Sequence, residues 1–102
     1  MDMNKLLKQA QKMQREMAKQ QETLALKIFE ASSGGGMVTA KVNGKNEILE
    51  LKIEPDVVDK NDIGMLQDLI IAAINEAHHR AQEEIQKEMQ GLMGGMQMPG
   101  LF

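Results

Sequence analysis

Two interleaved stripes run through the first twenty residues and constrain everything that follows. Met3, Leu6, Ala10, Met13 and Met17 recur at spacings of three and four, and Lys5, Lys8, Lys12, Arg15 and Lys19 repeat that rhythm two residues later. An offset of two residues is about 200° around an α-helix. Residues 3–22 contain no Gly, Pro or β-branched side chain and are rich in Lys, Gln, Met, Leu and Ala. Such a segment favours a helix. The sequence therefore predicts a helix over 3–22 with an apolar seam on one side and a cationic ridge on the other. The seam needs a partner that covers it. The ridge suits a polyanion, with nucleic acid the first candidate.

Beyond residue 22 the pattern changes to a period of two, the mark of strands. Leu24, Leu26 and Ile28 alternate up to the break at Ser32-Ser33-Gly34-Gly35-Gly36, and Val38, Ala40 and Val42 alternate after it. Asn43-Gly44 then reads as a two-residue type I′ hairpin turn. Leu49, Leu51 and Ile53 form a third alternating set, ended by Pro55. Strands are expected over 23–32, 37–43 and 46–54. A second helix is expected over 62–90, introduced by Asp59–Asp62 and ended by Gly91, with Leu66, Leu69, Ile70, Ala73, Ile74, Ala77, Ala81 and Ile85 as its apolar stripe. The fold class is α+β: a long N-terminal helix, a three-stranded antiparallel meander and a long C-terminal helix. Residues 1–90 form one domain, and 91–102 are expected to be a disordered, Gly/Met-rich tail.

Composition sets the size of the core. A chain of 102 residues buries about 60–70% of its unfolded surface. Here two Phe, no Trp, no Tyr and ten Met must fill it. Methionine packs adaptably but specifies geometry poorly, and a thin core of this kind gains from oligomerisation. The predicted helices, about 30 and 40 Å long, outrun strands of about 20–27 Å. Their stripes continue past the sheet, and a homodimer is the expected cover. Leu6, Met13, Met17, Leu51, Ile53, Leu66, Leu69 and Ile70 are the candidates for that interface and for the core.

Net charge of −3 hides a strong asymmetry. The first 22 residues hold five cations against Asp2, Glu16 and Glu22, whereas residues 61–102 hold Arg80 and Lys87 against six carboxylates. Local sign governs docking of a polyanion. Between residues 3 and 15 no carboxylate interrupts the ridge, and Gln9, Gln11 and Gln14 flank it with groups that hydrogen-bond phosphate or sugar. Lys5, Lys8, Lys12, Arg15 and Lys19 are thus the candidate DNA contacts. Four of the five are Lys, so weak base readout is expected.

Other chemistry finds little support. The chain has no Cys, no glycine-phosphate motif and no Ser–His–Asp arrangement, so no enzyme, cofactor or small-molecule substrate is expected. His78 and His79 are adjacent, hence about 100° apart on a helix, and cannot chelate one metal as an i,i+4 pair does. Ser32-Ser33 and the three glycines join two strands, open no helix and lack a P-loop lysine, so they read as a turn. The N-terminus lacks a signal peptide's apolar core, and no apolar run approaches the roughly 20 residues that span a bilayer. A cytoplasmic protein without a membrane partner is expected.

Taken in order, these segments resemble the YbaB/EbfC family of bacterial nucleoid-associated DNA-binding proteins. The resemblance is carried by residues 4–13 (Asn-Lys-Leu-Leu-Lys-Gln-Ala-Gln-Lys-Met), 34–38 (Gly-Gly-Gly-Met-Val), 42–44 (Val-Asn-Gly), 51–55 (Leu-Lys-Ile-Glu-Pro), 65–70 (Met-Leu-Gln-Asp-Leu-Ile) and 98–102 (Met-Pro-Gly-Leu-Phe). It implies a small cytosolic homodimer of two helices and a three-stranded sheet that binds double-stranded DNA, alters its shape and associates with the nucleoid. It supplies no catalytic motif and no set of DNA contacts, so the contact assignment rests on charge geometry. The alternative function is a protein-interaction module that pairs through the Met/Leu seam of the first helix.

Overall fold

The computed structural model describes residues 2–94. Helix α1 spans Met3–Leu26, strands β1, β2 and β3 span Ile28–Ser33, Val38–Asn43 and Ile48–Ile53, and helix α2 spans Ile63–Gly94. A single 3₁₀ turn, Pro55–Val57, joins β3 to α2. The sheet is antiparallel in the order β1-β2-β3. This is the expected α+β architecture.

Its boundaries differ from the sequence expectation in three places. First, α1 runs to Leu26, so the strand expected over 23–32 starts only at Ile28. Thr23 folds its Oγ1 back onto the Lys19 carbonyl at 2.9 Å, a bond open to threonine within a helix. Leu24 lies seven residues past Met17 and extends the seam at helical period. Lys27, in an extended conformation, ends the helix by donating its N–H to the Leu24 carbonyl.

Second, Asn43-Gly44 does not form a two-residue type I′ turn. Asn46 N–H donates to the Asn43 carbonyl at 3.0 Å, and the positive φ, +64°, falls on Asn46. That is a type I turn followed by a left-handed residue. Asn43 organises it. Its Oδ1 accepts from the Lys45 and Glu47 amides, and its Nδ2 donates to Glu47 Oε1 at 2.8 Å. On β3, Lys41 pairs with Glu50 but Val42 with Ile48, so Leu49 is an extra bulged residue and does not continue the alternation of Leu51 and Ile53.

Third, α2 passes through Gly91 and continues to Gly94. A helical glycine costs only about 1 kcal/mol relative to alanine, which a long helix absorbs. Residues 91–94, expected to open the tail, are therefore helical, and the rest of the expected tail, residues 95–102, lies outside the described residues. At the other end Asp62 Oδ1 accepts from the Met65 amide at 3.2 Å and caps α2.

The core is built from small side chains. Phe29, Ala31, Val38, Ala40 and Val42 on one sheet face meet Ala73, Ala77 and Ala81 of α2, with Val57 closing one end. Alanine at every fourth position lets the helix axis approach β1 and β2 closely. Ile53, Leu66, Leu69, Ile70 and Ile74 pack around this centre and stay half-exposed. Leu6, Met13 and Leu51, candidates for the interface or the core, are 47%, 36% and 39% exposed in the single chain and lie outside this core. Met17 is half-buried. The reason is placement. Leu6 and Met13 lie on a part of α1 that projects beyond the sheet, and α2 sits over β1 and β2 rather than β3. The chain is accordingly long and thin, 72 × 26 × 16 Å, with a radius of gyration of 20.2 Å where a compact chain of this length has about 13 Å.

Candidate nucleic-acid interface

The base of α1 decides where its ridge faces. Leu24 is the one buried residue of this helix. Gly44 donates its N–H to the Ala25 carbonyl at 3.1 Å. A Cβ on Gly44 would stand 2.7 Å from the Leu24 carbonyl carbon and 2.9 Å from Ala25 Cα. The missing side chain is what lets the helix seat on the β2–β3 hairpin. Two side-chain bonds brace the same end against α2: Lys27 Nζ to Glu84 Oε1 at 2.9 Å, and Gln20 Nε2 to Glu88 Oε2 at 3.2 Å. The Lys27 ammonium holds the Glu84 carboxyl below its usual range, through the hydrogen bond first and the charge second.

With Leu24 turned inward, the roll of the helix is fixed. Lys19 lies five residues earlier, about 140° around the axis. The side that docks at the base is the side that carries Met17, Met13 and Leu6 further out. Lys5, Lys8, Lys12, Arg15 and Lys19 are all exposed and point the other way. Among the described residues none of these five closes an ion pair, and Glu16, one turn from both Lys12 and Lys19, bridges neither. The ion pairs lie elsewhere, at Lys27–Glu84, Lys41–Glu50, His79–Glu83 and Arg80–Glu76. One carboxylate of α2, Glu84, thus pairs with Lys27 at the base of the arm, while Glu76 and Glu83 pair within α2 itself.

An apolar trough occupies the other exposed side. Leu51 pairs with Ala40, and Ala40 with Ala31, so Leu51 faces the α2 side of the sheet, yet α2 does not cover it. On α2 the flank bearing Ile71, Ile74 and His78 turns toward β3: His78 Nε2 reaches the Asn46 carbonyl at 3.2 Å. The opposite flank turns toward β1, where Arg80 Nη1 donates to the Glu30 carbonyl at 2.9 Å. Ile71 is 56% exposed and Met3 71%. His78 and His79 go to different partners, and no group of three or more metal-ligating side chains occurs among the described residues.

Sequence reasoning located the ridge but not the residues that aim it. Gly44 stood out only as a hairpin signal, and nothing in the pattern pairs Gln20 with Glu88 or Lys27 with Glu84. Those are contacts across 57 and 68 residues of chain.

A helical arm with one exposed cationic face, braced on a three-stranded sheet, defines the class: a small α+β protein with a projecting basic helix. The chain belongs to the YbaB/EbfC DNA-binding family, whose model matches residues 1–96. It is 59% identical over 102 residues to a nucleoid-associated protein of Clostridium novyi, covering 100% of this chain and 90% of that one. It is 54% identical over 101 residues to one of Alkaliphilus metalliredigens, covering 99% and 89%. The fold is shared with an uncharacterized protein of Helicobacter pylori, at TM-score 0.73 and 24% identity over 91% of this chain and 98% of that one.

Proposed function

We propose that this protein is a nucleoid-associated DNA-binding protein of the cytoplasm that grips double-stranded DNA through its phosphates and alters the path of the duplex. The observation that carries the reading is the set of five exposed cations on one face of α1, unpaired among the described residues. Each Lys or Arg that neutralises a phosphate releases counterions, which makes binding strong at low salt and largely indifferent to sequence. Arg15 alone offers a planar fork for a guanine edge. Among the described residues no helix is long and apolar enough to cross a membrane.

The active form is a homodimer. The seam of α1 (Met3, Leu6, Met13) and the trough along β3 and α2 (Leu51, Ile71) are apolar surfaces that one chain leaves wet. A second copy brings the same two surfaces and covers both by two-fold symmetry. Two arms then present two ridges, which bend or bridge DNA according to their separation. The exposure of the seam also suits a second reading, in which α1 pairs with a helix of another protein.

Gel-shift titration against salt tests the first reading. Duplex binding that weakens steeply with salt, and that vanishes when Lys8, Lys12 and Arg15 are changed together to Glu, supports it. Unchanged affinity in that variant moves the DNA site off α1.

A further inference from the structure

Asn43-Gly44 is the one Asn-Gly step in the chain. In an open chain such a step is chemically labile, because glycine offers no Cβ to hinder ring closure. The glycine amide nitrogen, having lost its proton, attacks the asparagine Cγ. The N–Cγ bond forms, the Cγ–Nδ2 bond breaks, and ammonia leaves. Water then opens the succinimide at either carbonyl and yields aspartate or isoaspartate.

Every group that must move in this reaction is held here. The Gly44 N–H, the nucleophile, is engaged by the Ala25 carbonyl of α1. Asn43 Oδ1 accepts from two backbone amides, and its Nδ2 is bound to Glu47 Oε1. Asn43 is only 7% exposed. Three of these restraints lie within the hairpin. The fourth, on the nucleophile itself, belongs to α1. We propose that Asn43-Gly44 is a deamidation site kept closed by the docked base of α1, so that swinging the arm off the hairpin opens it to conversion.

Conversion also resists reversal. An aspartate at 43 faces the Glu47 carboxylate at the spacing where the amide now donates to it, which sets two like charges together. Isoaspartate lengthens the backbone inside the turn that Asn43 organises. Either product weakens the seat of α1.

The test follows conversion at residue 43 by peptide mass spectrometry during incubation at mildly alkaline pH. Three samples are compared: the folded protein, the same chain in denaturant, and folded Leu24→Ala, which unseats the arm. The folded protein is expected to convert at least about tenfold more slowly than the denatured chain, with Leu24→Ala recovering most of that difference. Hydrogen exchange at Gly44 gives a second reading that needs no variant. Its amide is expected to be protected in the folded protein, and to lose protection in parallel with faster conversion as urea is added below the unfolding transition. Equal conversion in folded and denatured chains overturns the proposal. So does folded Leu24→Ala converting no faster than the parent, or a Gly44 amide that exchanges as freely as that of Gly35 in the open β1–β2 turn.

Discussion

Gly44 and Leu24 meet where a side chain on the glycine would run into the leucine's carbonyl group, so the hairpin and the end of α1 share one van der Waals surface. This contact sets the direction of the arm, and through it the direction of the ridge.

Replacing Gly44 by Ala should therefore unseat α1 without touching the Ala–Val core. An added methyl in a tight site costs about 1–3 kcal/mol. Urea unfolding followed by circular dichroism is expected to show a loss of that size, with DNA affinity falling although all five cations remain.

The ridge makes a numerical prediction. With five phosphate contacts per protomer, the log–log salt slope of binding is about −4.5 per arm, and each Lys→Gln substitution removes about 0.9. Substituting Lys12 alone is expected to lower affinity similarly for unrelated duplex sequences. A Lys12→Gln variant whose slope equals the parent's would remove that lysine from the contact set.

Leu51 separates assembly from folding. It is exposed in the single chain although it faces the α2 side of the sheet. Leu51→Glu should leave the helical signal intact and convert a dimer to a monomer in sedimentation at micromolar concentration. Loss of the helical signal would instead place Leu51 in the fold of the protomer.

Ala77 is fully buried between α2 and the sheet. A leucine there must push the helix off β1 and β2, which costs about 1–3 kcal/mol or more. Thermal melting should drop by several degrees, a shift larger than the one caused by Ile71→Ala on the exposed flank.

Two ion pairs give the pH dependence its sign. Glu84 has its pKa lowered by the hydrogen bond and charge of Lys27. Its contribution is present above the ordinary carboxylate pKa and is lost as pH falls through the lowered one. Lys41 has its pKa raised, by the hydrogen bond and charge of Glu50 and then by the charge of Glu30. Its contribution is present below the ordinary lysine pKa and is lost as pH rises through the raised one. Both pairs are exposed, so the effects are small. Glu84→Gln should make the acid limb of a melting-temperature profile slightly shallower and leave the alkaline limb unchanged.

Local periodicity was enough to determine the two helices, the three strands, their order and the opposition of seam and ridge on α1. Each of these depends on side chains a few residues apart, and spacing alone reports which ones share a face. Ala73, Ala77 and Ala81 were legible as one stripe for the same reason. Tertiary structure decided the rest. Thr23 through Leu26 alternate like a strand but stay helical, because Leu24 finds a buried seat. Asn43-Gly44 carries a turn signal, yet the positive φ falls on Asn46 and the glycine is needed by α1. Leu51 shares its face with Ala31 and Ala40, yet it lies bare because α2 sits over the neighbouring strands. In each case the outcome depends on groups far apart in the chain, and no pattern within a single segment records what a distant segment will cover.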